Sequence, residues 1–391
     1  MIIHNKKKRL SALIINSIIE FLWLPKRLFS QKINLQNLSP KKILVLRLDH
    51  VGDVVMTSPS FAFLRKRFPK AKIILLADST CKHLYQTDPN LSEILIFNWP
   101  WAHQKKNNKL TSLKIREIFN LIVKLRKERI DLFIDFRGDL RFVFLFGVLT
   151  GSKVRISNSR IGQSSLLHHI AEYKVSSHEV ERTLDVVKCL GGEITQTRPQ
   201  ITMEDTEITE IKCFVQRETG VTDPGKIAVI APYSSQDIKS WPGSYFLEVI
   251  SYLDANGFLI LILGTSDDLE DSMGMITPAY KNVFSLAGKT DIRQVAALIA
   301  VSTVVVGIDT GVLHIASCFD IPVIAIFGPT RPLEFKPYSP FTSVVDSGAC
   351  ECNQFLHLEC DCPVDGYSRC LTKALPASVI SALEKSQVKI N

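Results

Sequence analysis

The chain has 391 residues, of which 46% are hydrophobic and 22% charged, so it is ordinary globular material with enough length for two domains. Its formal net charge is +8, but residues 1–40 hold seven lysines and arginines against the single Glu20. The remaining body is nearly balanced, which argues against a nucleic-acid-binding domain, and no nucleic-acid partner is expected.

The amino-terminal extension, residues 1–40, is basic and apolar. Residues 10–24, LSALIINSIIEFLWL, form an apolar run with KKKR before it and a Lys-Arg pair after it. Spanning a bilayer takes about twenty apolar residues, and Glu20 interrupts this shorter run. The favoured interpretation is therefore a helix on an anionic membrane surface, with Trp23 near the headgroups. A signal peptide and a helix packed on the protein are the alternatives, and no small-x-small cleavage site follows the run.

Strand-like and helix-like segments alternate after the extension. KKILVLRL (41–48) is a nearly unbroken apolar run, as expected of a parallel strand buried on both faces. The loop DHVGD leads from it into a helix that ends at Pro69. The next segments are the strand KIILLAD, the strand EILIF, the amphipathic helix SLKIREIFNLIVKLRKE and the strand DLFIDF. This alternation predicts an α/β fold of right-handed βαβ units on a parallel sheet.

The alternation weakens between about 195 and 225 and then restarts. Five strand-like segments follow, each ending on a turn with Gly or Pro: KIAVIAPY, FLILILG, NVFSLAG, TVVVGIDTG and PVIAIFGPT. The sequence therefore predicts one Rossmann-like domain over 41–215 and a second over 216–391, the latter with a cysteine-rich segment (350–370) and a terminal helix. Two such domains are expected to place a ligand cleft between the carboxyl ends of their strands.

The loop DHVGD lies where a Rossmann-like sheet binds ligands, after the first strand and at the start of a helix. Gly52 would let the backbone approach a ligand, and the helix amino terminus favours an anion. No G-x-G-x-x-G is present, so the loop is not a dinucleotide fingerprint. Asp53 is a candidate catalytic base exposed to the cleft; the alternative is a carboxylate that only complements the helix dipole.

The segment GIDTGVLHIAS (307–317) repeats the order of strand, turn and helix. Asp309, Thr310 and Gly311 are predicted to open this helix, where the hydroxyl and backbone N–H groups could bind phosphate oxygens. His314 follows about one turn later. Taken alone, such a histidine is more often a capping or packed side chain than a catalytic one.

The segment 231–246 supplies a comparable loop, in which Ser234, Ser235 and Lys239 are available for a diphosphate. Lys239 could equally be a solvated surface charge. No Asp-x-Asp pair occurs in the sequence, and a diphosphate held through a divalent metal commonly needs such paired carboxylates. We therefore predict metal-independent chemistry with no cofactor.

The nine cysteines do not form the pattern of a secreted disulfide framework, and a reducing cytoplasm is expected. Four lie singly along the chain, and the other five crowd near its end: Cys350, Cys352, Cys360, Cys362 and Cys370. Zinc binding is one interpretation of this cluster. The usual zinc knuckle has Cys-x-x-Cys spacing, however, so the favoured prediction is that no metal is bound.

Five stretches fall in the order of a known family, from about residue 41 to the end: ILVLRLDHVGDVVMTSPSFAFLRKRFPKAKI, HEVERTLDVVKCLG, SSQDIKSWP, SLAGKTDIRQVAALIA and VVVGIDTGVLHIASCFDIPVIAIFGPTRP. They resemble glycosyltransferase family 9, the ADP-heptose:lipopolysaccharide heptosyltransferases. The resemblance implies a GT-B fold, with two Rossmann-like domains facing each other across a cleft. It also implies inverting transfer from a nucleotide sugar, ADP-heptose above all, to a lipopolysaccharide core or other lipid-linked glycan at the inner membrane face. We expect a monomer that is peripheral to that membrane.

The resemblance further implies roles for single residues. Asp53 corresponds to the proposed general base, and Arg47, Gly52 and Arg137 correspond to acceptor contacts, although RGDLR departs from the commoner Gln-Gly pair after this strand. The residues that correspond to donor contacts are Ser234, Ser235, Lys239, Asp268, Gly288, Asp309, Thr310, Gly311 and His314. Asp267 competes with Asp268 for the ribose.

Three hypotheses follow from the sequence. The first is a heptosyltransferase that acts on a lipopolysaccharide core. The second keeps the architecture but changes the donor sugar or the acceptor, or makes the protein a nucleotide-sugar epimerase, which would need neither a lipid acceptor nor a membrane helix. The third is a non-catalytic binding protein, against which the joint presence of Asp53, Lys239 and the DTG-x-x-H motif argues.

Overall fold

The chain divides into two compact units, Met1–Thr197 and Arg198–Asn391. The computed structural model describes residues 33–98, 112–160, 164–346, 363–364 and 366–386. Residues 1–32 of the amino-terminal extension, which include its apolar run, and all but one of the clustered cysteines lie outside the described residues, so the predictions made for them stay predictions. Among the described residues, no helix combines the length and apolar character that crossing a bilayer requires.

The first unit is built on a parallel sheet. Its described strands are β1 Lys42–Arg47, β2 Lys72–Ala77, β3 Glu93–Ile96, β4 Leu132–Asp135, β5 Val154–Asn158 and β6 His169–Ala171, in the spatial order β3-β2-β1-β4-β5-β6. Its helices are α1 Val51–Arg67, α2 Ser79–Tyr85, α3 Ser112–Glu128 and α4 Glu179–Lys188, with a short 3₁₀ turn at Leu35–Asn37, a helical turn at Leu140–Phe142 and a π-helix at Val143–Val148. The strands predicted from the apolar runs are confirmed.

The central strand β1 is buried on both faces, as its unbroken apolar run predicts. Ile43 to Leu46 have no solvent exposure, and β1 pairs in parallel with β2 on one side and with β4 on the other. Because the carboxyl ends of parallel strands meet at one edge, the segments after β1 and β4 are brought together there.

Helix α1 begins earlier than the sequence suggests. DHVGD was expected to be a loop, but the helix starts at Val51, so Gly52 and Asp53 lie in its first turn. The helix also contains Pro59, which lacks the N–H that would bond to the Val55 carbonyl. The Ser58 hydroxyl donates to that carbonyl at 2.8 Å, and the helix continues to Arg67.

The second unit repeats the architecture. Its large sheet contains β7 Ile227–Ala231, β8 Leu259–Ile262, β9 Val283–Ser285, β10 Val304–Ile308, β11 Val323–Phe327 and β12 Thr342–Asp346, in the order β12-β11-β10-β7-β8-β9, and a small hairpin pairs β13 Pro363–Val364 with β14 Tyr367–Ser368. The helices are α5 Asp205–Thr219, α6 Gly243–Ala255, α7 Leu269–Gly274, α8 Ile292–Ala300, α9 Gly311–Ala316, α10 Pro332–Phe335, α11 Arg369–Lys373 and α12 Pro376–Lys385, with 3₁₀ turns at Asp237–Lys239 and Ser266–Asp268. All five strands predicted for this half are present.

The division between the units lies earlier than the position predicted from composition. The sequence placed it between residues 215 and 216, which fall inside α5. The structure keeps α5 in the second unit, because Arg293 of α8 donates to both carboxylate oxygens of Glu207, each at 2.6 Å. The polar stretch before this helix marks the boundary better than the polar stretch after it.

Candidate active site

Polar residues gather at the carboxyl edge of each sheet, at the point where strand order reverses. In the first sheet β1 lies between β2 and β4, and in the second β7 lies between β8 and β10. Asp53 and Arg137 follow β1 and β4, while Lys239 and Asp309 follow β7 and β10. Open α/β sheets bind ligands at such points. We call the residues around Asp53 the first site and those around Asp309 the second site.

Arg47 is the centre of the first site. This last residue of β1 is 2% exposed, and its Nη1 donates to the Phe136 carbonyl at 2.8 Å. Its Nη2 donates to two carboxylates, Asp53 Oδ1 at 3.1 Å and Glu179 Oε1 at 2.8 Å. Its Nε lies 3.0 Å from Asp49 Oδ2 without the alignment of a hydrogen bond. The predicted acceptor-binding Arg47 therefore holds three carboxylates together.

Asp53 has one oxygen on Arg47 and the other on the backbone. Its Oδ2 accepts from the His50 N–H at 3.2 Å, a capping-type bond that stabilises the first turn of α1. The side chain nevertheless keeps 24% of its surface exposed. Burial raises the pKa of Asp53; Arg47 opposes this, and the negative charges of Asp49 and Glu179 add to the rise. The helix-capping interpretation and the catalytic interpretation of Asp53 are thus compatible in one carboxylate.

Arg137 is held beside Asp49. Its Nη1 lies 2.5 Å from Asp49 Oδ1 and donates to the Leu48 carbonyl at 3.0 Å. The turn that carries Arg137 is set by Asp135, whose carboxylate accepts from the Arg137 backbone N–H, and by Gly138, which has a φ of +72°. A Cβ on Gly138 would lie 2.1 Å from the Asn158 amide oxygen, so only glycine fits there.

Of the three predicted acceptor contacts, two belong to the charged cluster around Asp53 and one is buried in a helix. Arg47 and Arg137 pair with different oxygens of the Asp49 carboxylate, within the same charged cluster as Asp53. Gly52 is buried inside the first turn of α1, and the structure gives it no open loop in which the backbone could approach a ligand.

Sequence reasoning missed Glu179 and Arg182 as members of the first site. Glu179 begins α4, which packs on α1, and its Oε2 accepts from Arg182 Nη1 at 3.2 Å. Arg182 is itself fixed by the Lys174 and Val175 carbonyls. The signal was the stretch HEVER: a charged run that begins a helix whose other face is buried. Only the fold reveals that it meets β1.

Asp309 is the centre of the second site. Its Oδ2 accepts from Lys239 Nζ and from the Thr330 hydroxyl, both at 2.7 Å, and its Oδ1 lies 3.9 Å from His314 Nε2. Burial opposes ionisation of Asp309, but Lys239 and His314 outweigh it and lower its pKa. Lys239 is therefore a paired site residue and not a solvated surface charge. Thr330, in the stretch GPTRP, was not predicted as part of this group.

The other residues of the Asp-Thr-Gly-x-x-His motif lie beside Asp309. Thr310 is the N-cap of α9, and its hydroxyl oxygen is buried without a hydrogen-bond partner among the described residues. Gly311 is the first residue of the helix, and His314 is 6% exposed. Since α9 has only six residues, its dipole is short. We therefore attribute the cationic character of the second site mainly to Lys239.

The remaining predicted donor contacts lie at the ends of neighbouring strands. Ser234 and Ser235 follow β7, and the Ser234 hydroxyl accepts from the Gln236 N–H at 3.2 Å. Gly288 follows β9 with a φ of +71°, and a Cβ on it would lie 3.1 Å from the Ser266 Cα. Asp268 Oδ2 accepts from both the N–H and the hydroxyl of Thr265, so part of this carboxylate is committed to capping its own turn.

The described residues contain no group of three or more His, Cys, Asp or Glu side chains arranged to hold a metal ion. Cys370 is the one described member of the cysteine cluster, and it is 2% exposed in the apolar core of the second unit. The zinc interpretation stays untested, because the other four cysteines lie outside the described residues.

Comparison with known proteins identifies the family. Residues 118–363 match the sequence pattern of glycosyltransferase family 9 (heptosyltransferase). The chain is also 30% identical over 307 residues to lipopolysaccharide heptosyltransferase 3 of Escherichia coli, across 74% of this chain and 84% of that protein. This chain belongs to glycosyltransferase family 9. Membership confirms the resemblance and the glycosyltransferase class, and it favours sugar transfer over the epimerase and binding-protein alternatives.

Solved structures share the fold of this family 9 chain. A family 9 glycosyltransferase from Veillonella parvula has a TM-score of 0.74 at 20% identity, covering 92% of this chain and 100% of that one. The ADP-heptose lipopolysaccharide heptosyltransferase II of E. coli has a TM-score of 0.70 at 21% identity, covering 89% and 99%. At these identities the likeness shows the fold, and the predicted GT-B fold class is confirmed.

Proposed function

We propose that this family 9 chain is an inverting glycosyltransferase that moves a heptose from ADP-heptose to a lipopolysaccharide core or another lipid-linked glycan. The observation that carries the proposal is Asp53, a partly open carboxylate with a raised pKa at the ligand-binding edge of the first sheet. The names of the similar heptosyltransferases support the donor and the acceptor. The alternative is a family member with another donor sugar or acceptor.

Asp53 would act as the general base. A carboxylate has about four acceptor positions, and Arg47 and the His50 N–H use two of those on Asp53. An acceptor hydroxyl can therefore donate to Asp53 without displacing either partner. As the hydroxyl oxygen attacks the anomeric carbon, its proton passes to Asp53, and the raised pKa makes this carboxylate a stronger base than an ordinary aspartate.

The leaving diphosphate would be stabilised at the second site. When the bond from the anomeric carbon to the phosphate oxygen breaks, the electron pair leaves with the diphosphate, and negative charge grows on it. Lys239 supplies a cation, and the unpartnered Thr310 hydroxyl supplies a donor. Asp309 carries the same charge sign as the diphosphate, so its role is to position Lys239 and not to bind phosphate. With these groups we propose transfer that needs no metal ion.

A donor screen tests the proposed function. We expect ADP-heptose to raise the melting temperature, to bind more tightly than other ADP-, GDP- and UDP-sugars, and to support transfer in the presence of EDTA. Thermal shift would measure donor binding, and chromatographic detection of ADP release with a lipopolysaccharide-core acceptor would measure turnover. If only UDP-sugars stabilised the protein, the heptose assignment would be wrong; loss of turnover with EDTA would refute the metal-independent step.

We further propose that the chain docks on an anionic membrane, which would suit a lipid-linked acceptor. Helix α3 supports this independently of the amino-terminal extension. Ile115, Phe119 and Val123 repeat every four residues and are 53%, 64% and 37% exposed, whereas Leu125 of the same helix is buried in the core. Exposed Arg116, Arg126 and Lys127 accompany the apolar stripe. Such a face fits the headgroup boundary of an anionic bilayer.

The membrane contact predicts a vesicle-binding defect. In the full chain, Phe119→Glu should lower the fraction of protein that co-sediments with phosphatidylglycerol-containing vesicles about fivefold or more. The substitution removes apolar area from α3 and adds a negative charge that the anionic vesicle surface repels. Phe341→Glu is the matched control, since Phe341 is an exposed phenylalanine of the second unit. Equal binding by wild type and the Phe119 variant would contradict the α3 assignment.

We propose that one copy of the chain is the active species.

A further inference from the structure

The Arg47 guanidinium divides one nitrogen between two carboxylates. Its Nη2 donates to Glu179 Oε1 at 2.8 Å and to Asp53 Oδ1 at 3.1 Å, and the shorter bond goes to Glu179. An Nη2 group has two hydrogens, so both are used. The strength of the Arg47–Asp53 ion pair therefore depends on how far Glu179 neutralises the positive charge at the shared Nη2.

Glu179 cannot easily leave this position. Its side chain is 8% exposed, and Arg182 Nη1 holds Oε2 at 3.2 Å from the next turn of α4. Arg182 is 1% exposed at its side chain and is anchored by the Tyr173 hydroxyl. The arrangement places a buried carboxylate on the same Arg47 nitrogen as the candidate base, fixed by a different helix from the one that carries that base.

We propose that Glu179 is a positioning residue for the transfer reaction: by sharing Arg47 Nη2 with Asp53, it limits the Arg47–Asp53 ion pair and keeps the Asp53 carboxylate available to the acceptor hydroxyl. The inference rests on the general-base role proposed for Asp53. A carboxylate fully neutralised by a buried arginine is a poor base, because its proton affinity falls. Glu179 opposes that neutralisation without touching substrate.

The charges around Asp53 agree with this assignment. Arg47 and His50 lower its proton affinity, while Asp49 and Glu179 raise it. The negative charge of Asp49 has less effect on Asp53, because Asp49 also pairs with Arg137 and interacts electrostatically with Arg160. On α2 the Cys81 thiol is buried, and burial together with nearby carboxylates raises its pKa, so it adds no charge. Asp49 and Glu179 are thus the anions that balance Arg47, and Glu179 is the one that bonds to the same nitrogen as Asp53.

Glu179→Gln is the direct test. Removing this negative charge should lower the pKa of Asp53. The acidic limb of the kcat/KM profile should then move to lower pH by about one unit, and kcat on the plateau should fall about 3- to 10-fold because the base is weaker. KM for the donor should not change. Glu181→Gln is the matched control, since Glu181 is an exposed carboxylate in the same first turn of α4.

A purely structural role for Glu179 predicts a different result. It would lower the melting temperature and the amount of active protein but leave the acidic limb where it is, and that outcome in folded Glu179→Gln would overturn the proposal. If Glu179→Gln does not fold, the pH profile of Glu179→Asp tests the proposal instead. Aspartate keeps the negative charge, but its shorter side chain places that charge farther from Arg47. The acidic limb of the kcat/KM profile should therefore move to lower pH by less than in Glu179→Gln, and an unshifted limb counts against the proposal.

Asp53→Asn in the same assay separates the inference from the proposed function. If Asp53→Asn retains turnover, the general-base role fails and the Glu179 inference fails with it. If Asp53→Asn is inactive while Glu179→Gln keeps the wild-type limb, only the Glu179 inference is wrong.

Discussion

Asp53→Asn is expected to reduce kcat by about 10²- to 10⁴-fold, the range that a positioned general base contributes. Asparagine is nearly isosteric and keeps an oxygen that can accept from the His50 N–H, so the start of α1 should persist. The donor should bind as before, because the proposed donor contacts lie in the second unit. Turnover with the lipid-linked acceptor and donor thermal shift are the two measurements.

Asp291→Asn is the matched control for this variant. Asp291 is the N-cap of α8, where its carboxylate accepts from two backbone N–H groups, and asparagine caps a helix about as well as aspartate. The control should retain wild-type turnover. If Asp53→Asn also retained it, Asp53 would be only a helix-capping carboxylate and the proposed mechanism would lose its base.

The pH dependence of the wild-type enzyme follows from the same carboxylate. A base must be deprotonated, so kcat/KM should rise with pH through the pKa of Asp53 and level off above it. Because burial, Asp49 and Glu179 raise that pKa, the rise should lie above the range of an ordinary aspartate.

The sequence predicts the sheets well because a parallel strand that is buried on both faces consists of an unbroken run of apolar residues. KKILVLRL and TVVVGIDTG each end on the polar residues that the sheet edge presents, so Asp53 and Asp309 were found from local sequence. The same reasoning misplaced the start of α1, since Gly52 reads as a loop residue. Its place in the helix becomes visible only through the His50 cap.

The partners of these residues were not predictable from local sequence. Glu179 meets Arg47 across 132 positions of chain, and nothing in HEVER indicates which strand its helix will cover. Thr330 reaches Asp309 because β10 and β11 are neighbours in the sheet. Distant contacts of this kind depend on the packing of whole elements, whereas motifs record only what one loop contains.

The role of Asp309 shows why a motif needs its geometry. Within DTG-x-x-H the aspartate looks like one more donor contact, yet an anion beside a diphosphate would repel it. In the structure Asp309 is the acceptor that holds Lys239 and Thr330. Its lowered folded pKa means that its stabilising contribution is present above the ordinary aspartate pKa and is lost as the pH falls through the folded value.

Lys239→Met should lower kcat/KM by about 10²- to 10³-fold, the typical effect of removing one preorganised group that stabilises developing negative charge. It should also destabilise the second unit. Lys239 and Asp309 are only 17% and 9% exposed at their side chains, and removing one partner of a largely buried pair leaves the other charge uncompensated. ADP release reports the first effect, and thermal denaturation reports the second.

The double variant Lys239→Met/Asp309→Asn separates these two effects. Removing both charges should restore much of the lost stability, because no unpaired carboxylate is left, but it should not restore transfer. Lys289→Met is the matched control, since Lys289 also pairs with a carboxylate, Glu218, but is 46% exposed. If the double variant regained transfer along with stability, Lys239 would serve only to neutralise Asp309, and charge stabilisation of the leaving diphosphate would have to come from another group.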